Sequence, residues 1–348
     1  MGPRCFALTA GFGRSLHPIR ERLLAISHLR DSIGGAEPAL SAEYQGGAAR
    51  GVDSAVFDTD LIALLFAPPP GAPGRAAASA VADPARLGRR MAALYAVWQR
   101  RRRPPLQALA ACFLRRTGVS PLDPLGRCCL AAAEAVEAWG GLPYHSATHH
   151  AEVATNAMVL LELSDRLGQP VAGHAAALLL TVCLAHDLHY RPPAGRRPRF
   201  AAERASADAL AALAADAGCT PSEQQAMRAL VIATEPGLRL RQGGPLGLPL
   251  EPAARAHLAM DCAAPETALP ALQGLAGILS DADLLSSVGL TVAWYEVQND
   301  RLERESGQIQ GQADSRRFFR DIVGPGFLSA PGRIFAPNLA TIQARACA

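Results

Sequence analysis

The chain has 348 residues, of which 49% are hydrophobic and 19% are charged, and its formal net charge is +3. This composition is typical of a soluble globular protein and argues against a disordered chain. The small net charge gives no electrostatic reason to expect a nucleic-acid partner. All 34 basic residues are arginine, so the run RRRR at 100–103 is interpreted as a solvated helix end.

The cysteines and the apolar runs indicate the compartment. The eight cysteines include no Cys-x-x-Cys pair, which favours a reducing compartment over a disulfide scaffold. Residues 1–20 lack the uninterrupted apolar stretch of a signal peptide. The longest apolar run, 174–185, is too short to span a bilayer, and His174 at its start is interpreted as a core histidine. We therefore expect a cytoplasmic protein with no membrane segment.

Three regions differ in sequence pattern. Residues 1–85 combine one short apolar stretch with a Pro, Gly and Ala-rich linker, and we expect a poorly ordered leader. Residues 86–330 form the main domain, in which Ala- and Leu-rich segments of helical period are separated by Pro and Gly. Residues 331–348 are assigned to a C-terminal tail. No segment alternates with a period of two, so the sequence predicts an all-α fold.

The predicted helices follow one another closely along the main domain. Each combines an apolar stripe of helical period with Pro or Gly at one or both ends. In chain order these segments are 86–102, 105–116, 124–141, 149–168, 171–190, 201–218, 221–235, 268–289 and 291–305.

Histidines and aspartates stand at the edges of three of these segments. His145 and His149 open one helix, the adjacent His186 and Asp187 follow a strongly apolar run, and Asp283 lies between two apolar runs. Each group alone is ambiguous, because such residues also occur on solvated helix ends and as helix caps. Together they supply the imidazole nitrogens and carboxylate oxygens that suit a divalent cation.

The same segments resemble the signature motifs of class I cyclic-nucleotide phosphodiesterases of bacterial type, within the HD-domain metal-dependent phosphohydrolase superfamily. Five motifs occur in the family's order, and the resemblance covers about residues 105–325. They are YHSATHHAEV (144–153) for Y-H-N-x-x-H-A-x-x-V, AHDLHY (185–190) for H-D-x-x-H-P-G, LVIATE (230–235) for A-T-D, DADLLS (281–286) for A-D-L-S, and QNDRLERESG (298–307) for Q-G-D-x-E-R-E-x-G.

The resemblance implies a compact multi-helix domain with a site for two divalent ions, drawn from Zn, Mg, Mn or Fe, between its helices. His149, His186, Asp187 and Asp283 would ligate the tightly held ion, and Asp187 would bridge to the second. His145 would be the general acid that protonates the departing O3′ while a metal-bound hydroxide attacks phosphorus. The implied reaction converts a 3′,5′-cyclic nucleotide to a 5′-nucleotide.

Further residues are candidates to support the ligands or a second ion. His189 lies one residue before the position of the second histidine in H-D-x-x-H, and no Pro-Gly follows it. Glu203 would hold a metal-bound water, with a charge on a helix face as the alternative. Thr234 and Glu235 stand where the family has Thr and Asp and would orient a ligand. His150 is expected either beside the ligands or on the surface.

Substrate recognition is expected at two places. Tyr144 is expected to pack beside the site. The segment SRRFFRDIVGP (315–325) resembles the family's S-Q-x-x-F-x-D-x-x-V-x-P, so Phe318 or Phe319 would stack on a base, with ordinary core packing as the alternative. Arg316 stands where the family has the glutamine that binds the purine edge. Loss of that glutamine weakens the case for cAMP or cGMP without affecting phosphoester hydrolysis.

Two alternatives to a cyclic-nucleotide phosphodiesterase remain open. One is an HD hydrolase of another nucleotide or phosphoester, which the altered H-D-x-x-H motif and the missing glutamine favour. The other is a degenerate HD domain that serves as a regulatory module. The expected partner is a small-molecule nucleotide, with neither a nucleic acid nor a membrane involved. A homodimer is left open, as is the role of residues 1–85.

Overall fold

The computed structural model describes residues 61–63, 65–67, 83–100, 105–191, 200–235, 269–309, 311–324 and 326–348. Within these ranges every regular element is a helix and no strand occurs, so the predicted all-α fold is confirmed. The α-helices are α1 (Pro84–Arg100), α2 (Leu106–Thr117), α3 (Pro124–Trp139), α4 (Ala147–Arg166), α5 (Gly173–Ala185), α6 (Ala201–Asp216), α7 (Pro221–Ile232), α8 (Leu269–Val288), α9 (Val292–Ser306), α10 (Gln312–Phe318) and α11 (Ala336–Cys347). A π-helical turn, Phe319–Val323, follows α10, and a 3-10 helix, Gly332–Phe335, precedes α11.

Pro, Gly and Thr residues mark several helix ends, as the sequence pattern predicts. α3 begins at Pro124 and ends before Gly140, whose φ of 76° is a left-handed conformation that glycine adopts without steric cost. α9 ends in the same way before Gly307, with φ 68°. α7 begins with a reciprocal pair of hydrogen bonds between Thr220 and Glu223, which satisfies backbone donors at the helix start.

The centre of the domain is formed by α4 and α5. Nearly all of α4 is buried, and every residue of α5 from Ala176 to Ala185 is buried. α8 packs against α4, α3 packs against α5, and α4 and α5 pack against each other. Helices that are apolar around their whole circumference belong in the interior of a protein. This packing brings the start of α4, the end of α5 and the middle of α8 to one place.

The beginning of α5 differs from the prediction. His174 lies in its first turn with a side chain that is 62% exposed, and its Nε2 pairs with Glu223 Oε1 at 3.0 Å. The interpretation of His174 as a core histidine was therefore wrong. An apolar run in sequence gives no sign of where the helix emerges from the core.

Membrane-spanning length is a separate property of the helices. Over the described ranges, no helix taken singly combines the length and the apolar composition needed to cross a bilayer. α8 and α9 satisfy the criterion only when joined, and they are bent by 96° relative to one another.

The last residues of the chain belong to the packed domain. The prediction set 331–348 aside as a tail, but Phe335, Leu339 and Ile342 are buried in the main core. Asn338 Nδ2 in α11 donates to the carbonyl of Gly289 at 2.8 Å and to that of Pro84 at 2.9 Å. These bonds join the end of the chain to the start of α1 and the end of α8.

Part of the predicted leader also packs on the domain. Leu61, Ile62, Leu65 and Phe66 are buried in the main core. Arg90 of α1 donates to backbone carbonyls at the end of this segment, at 3.0 Å to residue 65 and 2.6 Å to residue 67. The rest of the predicted leader up to residue 82 lies outside the described residues. The boundary at 85 therefore separates two parts of one packed unit where the structure describes them.

The Asp281 carboxylate is buried in the middle of α8 and binds a distant segment. It accepts hydrogen bonds from the backbone N–H of Leu328 at 2.8 Å and from both the N–H and the hydroxyl of Ser329 at 2.6 Å. The next helix, α9, is capped by Thr291. Asp281 instead fixes the chain that leads into α11.

Replacing Asp281 by alanine should destabilise the domain. Two backbone N–H groups and one hydroxyl would lose their acceptor in a buried place, at a cost of about 3 kcal/mol in the free energy of unfolding. Urea denaturation measures this loss. The matched control is Asp300→Ala, which removes an exposed partner of Arg304 and should change the free energy of unfolding by less than about 0.5 kcal/mol. Equal losses in the two variants would contradict the assignment.

Candidate metal centre

Three buried helices each contribute to one side-chain cluster. His149 lies in the first turn of α4, where its backbone N–H meets the hydroxyl of the N-cap residue Ser146 at 3.4 Å. His186 is the residue at which α5 ends, and Asp187 follows it. Asp283 lies in the middle of α8, where the sequence had suggested a helix end. All four predicted ligands are therefore brought together by the packing of α4, α5 and α8.

The donor atoms of these four residues converge. His149 Nε2 lies 3.4 Å from His186 Nε2, and Asp187 Oδ2 lies 3.7 and 3.2 Å from those two nitrogens. Asp283 Oδ1 lies 3.4 Å from His149 Nε2 and 3.7 Å from His186 Nε2. Nitrogen and oxygen ligands bind zinc at about 2.0–2.2 Å, which places neighbouring donors roughly 3–3.5 Å apart. The spacing around the two histidines fits a bound divalent ion.

The two carboxylates approach the histidines from different directions. The donor atoms of His149, His186 and Asp187 all lie within 4.8 Å of one another, and Asp283 is outside that trio although it is close to both histidines. The side chains of Asp187 and Asp283 are 19% and 33% exposed, whereas those of the two histidines are 1% exposed. The cluster is therefore open to solvent on its carboxylate side.

The hydrogen bonding of His186 suits it for cation binding. Its Nδ1 lies 3.0 Å from the carbonyl oxygen of Cys183, so Nδ1 carries the proton and Nε2 presents a lone pair. Burial works against a charge on this ring, but Asp187 and Asp283 outweigh burial and raise the pKa of His186. The surroundings of His186 Nε2 thus favour a positive charge at that position.

Both aspartates are ionised in this environment. Burial opposes ionisation of each, but the neighbouring histidines outweigh it, and the pKa values of Asp187 and Asp283 are lowered. Two carboxylates and two imidazoles facing one point form an electron-rich donor set. The chemistry of these donors therefore fits a divalent cation.

The ring of His150 is fully buried behind the cluster. Its centroid lies 5.2 Å from that of His186 and 5.7 Å from that of His149. Among the described residues, neither ring nitrogen of His150 has a hydrogen-bond partner, nor does Nδ1 of His149. Burial lowers the pKa of His150, which keeps the ring neutral. Of the two predicted places for His150, the one beside the ligands agrees with the structure.

The predicted general acid, His145, lies in the loop before α4. It was expected to open a helix together with His149, which is wrong for His145, because α4 begins at Ala147. The loop nevertheless brings the two rings together, with centroids 5.8 Å apart. His145 Nε2 lies 3.8 Å from Asp187 Oδ2, at the edge of the cluster.

Glu305 of α9 holds His145 from the other side. Its Oε1 lies 2.5 Å from His145 Nδ1, and its Oε2 accepts the backbone N–H groups of Tyr144 at 2.8 Å and His145 at 2.9 Å. Burial opposes ionisation of Glu305, but its hydrogen bond with His145 prevails and lowers the pKa of this carboxyl. His145 is thereby oriented with Nδ1 bound and Nε2 directed to the cluster side.

Two tyrosines enclose His145. The ring of Tyr144 lies 4.9 Å from His145 and 5.1 Å from His149, and its hydroxyl is 2.8 Å from Ser287 Oγ. Tyr190 stacks on His145 with centroids 3.8 Å apart and an angle of 25° between the rings. Tyr190, which stands at the position of the second histidine of H-D-x-x-H, therefore contacts the predicted acid.

The predicted supporting residues are not drawn into the trio of donors. His189 is exposed and has a positive φ of 64°. Glu203 lies in the first turn of α6. Thr234 donates its hydroxyl to the carbonyl of Val231 at 2.7 Å, just after the end of α7, and Glu235 follows it. Their roles at the metal centre stay predictions.

The predicted base-binding residues contact other parts of the protein. Arg316 is exposed and donates to the carbonyl oxygen of Cys347 at 3.1 Å. Phe319 is buried in the core, 5.9 Å from the ring of Tyr295, and Phe318 packs against the same core. These contacts match the alternative that the sequence left open, in which both phenylalanines are ordinary core residues.

Four residues around the centre received no role from the sequence: Glu152, Gln298, Arg301 and Glu305. Glu152 is a fully buried charge within α4, and Gln298 and Arg301 are also buried. The residues at 298, 301 and 305 are three and four positions apart, so they share one face of α9. That spacing was visible in QNDRLERESG, but nothing in the sequence indicated which segment this face would contact.

Comparisons of the chain with protein-family models, curated proteins and solved structures find no match. Function is therefore inferred from the geometry of the cluster and from the motifs in the sequence.

We predict that the chain binds a divalent cation at this cluster. Mn²⁺ or Zn²⁺ should raise the free energy of unfolding, by about 2.7 kcal/mol when the free cation is at 100 times its Kd. His149→Ala and Asp283→Ala should each abolish this gain, because each removes a ligand. Metal analysis and thermal unfolding, with and without added cation, measure the effect. His174→Ala, which alters an exposed histidine elsewhere, should keep it, and its loss there would contradict a specific site.

A second prediction concerns Glu305 and pH. A carboxyl whose pKa is lowered by folding adds stability above its unfolded pKa, near 4.3, and this stability is lost as pH falls through the lower folded pKa. The free energy of unfolding of the wild type should therefore be higher than that of Glu305→Gln, and the difference should be largest above about pH 5. The difference should shrink as pH is lowered below about 4. Urea unfolding at a series of pH values tests this, and a difference independent of pH would refute it.

Proposed function

We propose that this protein is a divalent-cation-dependent phosphohydrolase that cleaves a phosphodiester. One observation carries the proposal: two imidazole nitrogens and two carboxylates converge beside a third imidazole, that of His145, whose other nitrogen is bound by Glu305. Hydrolysis of a phosphodiester anion requires neutralisation of its charge and a proton for the leaving oxygen. The cluster and His145 offer these two functions side by side.

The roles of the ligands are those that the resemblance to the phosphodiesterase motifs implies, and their donor atoms fit these roles. His149, His186, Asp187 and Asp283 would hold the tightly bound ion, and Asp187 would also face a second, more hydrated one. Bound divalent ions would neutralise phosphate charge and lower the pKa of a coordinated water to about 7. The two histidines are buried and would bind the ion from the protein interior, and the partly exposed aspartates line the side open to solvent.

His145 would supply the proton to the leaving oxygen. Because its Nδ1 is engaged by Glu305, the proton that can be transferred is held at Nε2, on the side of Asp187. The Glu305 carboxylate keeps the ring in this orientation, as a buried carboxylate does in other histidine–carboxylate pairs. A positioned acid of this kind contributes roughly 10²–10⁴-fold to the rate.

The substrate we propose is a 3′,5′-cyclic nucleotide, converted to the 5′-nucleotide. Support for it comes from the five motifs that follow the order of the cyclic-nucleotide phosphodiesterases. Another nucleotide or phosphoester is the second candidate. It is favoured by the contacts of Arg316 and Phe319, which engage the end of the chain and the core. A degenerate regulatory domain is less favoured, because both the ligand set and the acid are retained.

The deciding experiment is an assay of the purified full chain with Mn²⁺ or Mg²⁺. The substrates are cAMP, cGMP and bis-p-nitrophenyl phosphate, and 5′-nucleotide formation is followed for the first two. His145→Ala should lower kcat by about 10²–10⁴-fold while keeping cation binding. Asp283→Ala should lose both activity and cation binding, because it removes a ligand. His174→Ala is the matched histidine control and should retain full activity.

The other outcomes separate the alternatives. Turnover of bis-p-nitrophenyl phosphate without turnover of either cyclic nucleotide would favour the second candidate. Cation binding without turnover of any phosphoester would favour a regulatory module. Absence of cation binding by the wild type would contradict the proposed function as a whole.

A further inference from the structure

Arg301 of α9 binds the loop that carries His145. This side chain is 7% exposed, and three of its hydrogen bonds go to residues 143–146. Nε donates to the carbonyl of Pro143 at 3.1 Å, and Nη2 donates to the carbonyl of Tyr144 at 3.2 Å and to the hydroxyl of Ser146 at 3.1 Å. One guanidinium thus holds acceptors on both sides of His145 along the chain.

The remaining edge of the guanidinium is fixed by a buried polar pair. Nη1 of Arg301 donates to Glu152 Oε1 at 3.0 Å and to Gln298 Oε1 at 2.9 Å. Gln298 Nε2 in turn donates to Glu152 Oε2 at 2.9 Å. Glu152 is fully buried in α4, and a planar guanidinium with several fixed donors suits such a site better than an ammonium does. The position of Arg301 is therefore set by α4 and by α9 itself.

Arg301 and Glu305 bind complementary groups of the same loop. Arg301 donates hydrogen bonds to the carbonyls of Pro143 and Tyr144, while Glu305 accepts hydrogen bonds from the N–H groups of Tyr144 and His145. These groups belong to two peptide units, Pro143–Tyr144 and Tyr144–His145, so each unit is held at its carbonyl by Arg301 and at its N–H by Glu305. The Tyr144 carbonyl also accepts the N–H of Ser146 at 2.8 Å. A rotation of the Tyr144–His145 unit would redirect the His145 ring. The loop conformation that points Nε2 towards Asp187 depends on both residues.

We propose that Arg301 is a positioning residue: through the backbone of residues 143–146 it holds His145 against Glu305, in the orientation needed for proton transfer. This inference deepens the proposed function and rests on it for the catalytic role of His145. None of the hydrogen bonds that Arg301 donates in the structure goes to the side chains of the four candidate ligands. Its loss should therefore affect the acid far more than the cation.

The variants are chosen to separate positioning from folding. Arg301→Met alone would leave the Glu152 carboxylate buried without its partner, which destabilises a protein whatever the role of Arg301. The test variant therefore combines Glu152→Gln with Arg301→Met. The matched control is Glu152→Gln alone, in which the new amide oxygen still accepts from Arg301 and Arg301 keeps its contacts with the loop. The new amide nitrogen faces Gln298 Nε2, a change that the test variant shares.

The readout is the imidazole N–H of His145 in the downfield proton NMR spectrum of the full chain, assigned by its absence in His145→Gln. This hydrogen-bonded proton should be present in the wild type and in Glu152→Gln, and absent or shifted in the double variant. Mn²⁺ affinity should stay within about threefold, and kcat should fall about 10- to 100-fold from a displaced acid, with KM little changed. The NMR result does not require catalysis, so it stands apart from any failure of the proposed function.

Two results would overturn the proposal. One is an unchanged His145 resonance in the double variant, and the other is a loss as large in Glu152→Gln alone. Should the double variant not fold, Arg301→Lys is measured in the same way. A single ammonium cannot serve two carbonyls, a hydroxyl and Glu152 together, so the His145 resonance should weaken there too. An unchanged resonance in Arg301→Lys would equally refute a positioning role.

Discussion

The constraint on which the structure depends is the meeting of two carboxylates and two imidazole lone pairs in one small, largely buried volume. Asp187 and Asp283 repel each other there, and a buried charge without compensation is costly. The raised pKa of His186 reflects this repulsion, because a proton on Nε2 takes up that lone pair and offsets part of the charge. A divalent cation bound in place of the proton would offset more. Because the donors come from α4, α5 and α8, compensation of their charge and the packing of the central helices are coupled.

A second set of polar residues, on α9, serves a different purpose. Gln298, Arg301 and Glu305 engage the loop before α4 and the buried Glu152, and none of them is a cation ligand. The four candidate ligands thus define where charge can be held, while the face of α9 sets the orientation of His145 beside them. α8 divides its roles in a similar way, since Asp283 faces the cluster and Asp281 binds the segment that leads to α11.

The local sequence pattern predicted those features of the fold that depend on residues close together in the chain. The period of Ala and Leu predicted the helices, and Pro and Gly placed many of their ends, because capping and backbone conformation act within one turn. The failures occurred where long-range packing decided. The helix at the end of the chain had been set aside as a tail, and His174 at the edge of an apolar run had been placed in the core. Neither assignment could be corrected from local periodicity.

The sequence by itself determined the all-α class and the residue types of the candidate site, since hydrophobic period and motif order are properties of the chain alone. Tertiary structure alone decided that Glu305 binds His145, which lies 160 positions earlier in the chain. It also decided that Arg301 binds the loop around His145, including Pro143, which lies 158 positions earlier. It also decided that Asp281, rather than capping a helix, binds Ser329. Spacing in sequence specifies contacts only within an element, whereas these hydrogen bonds form between elements whose relative positions are set by packing of the core.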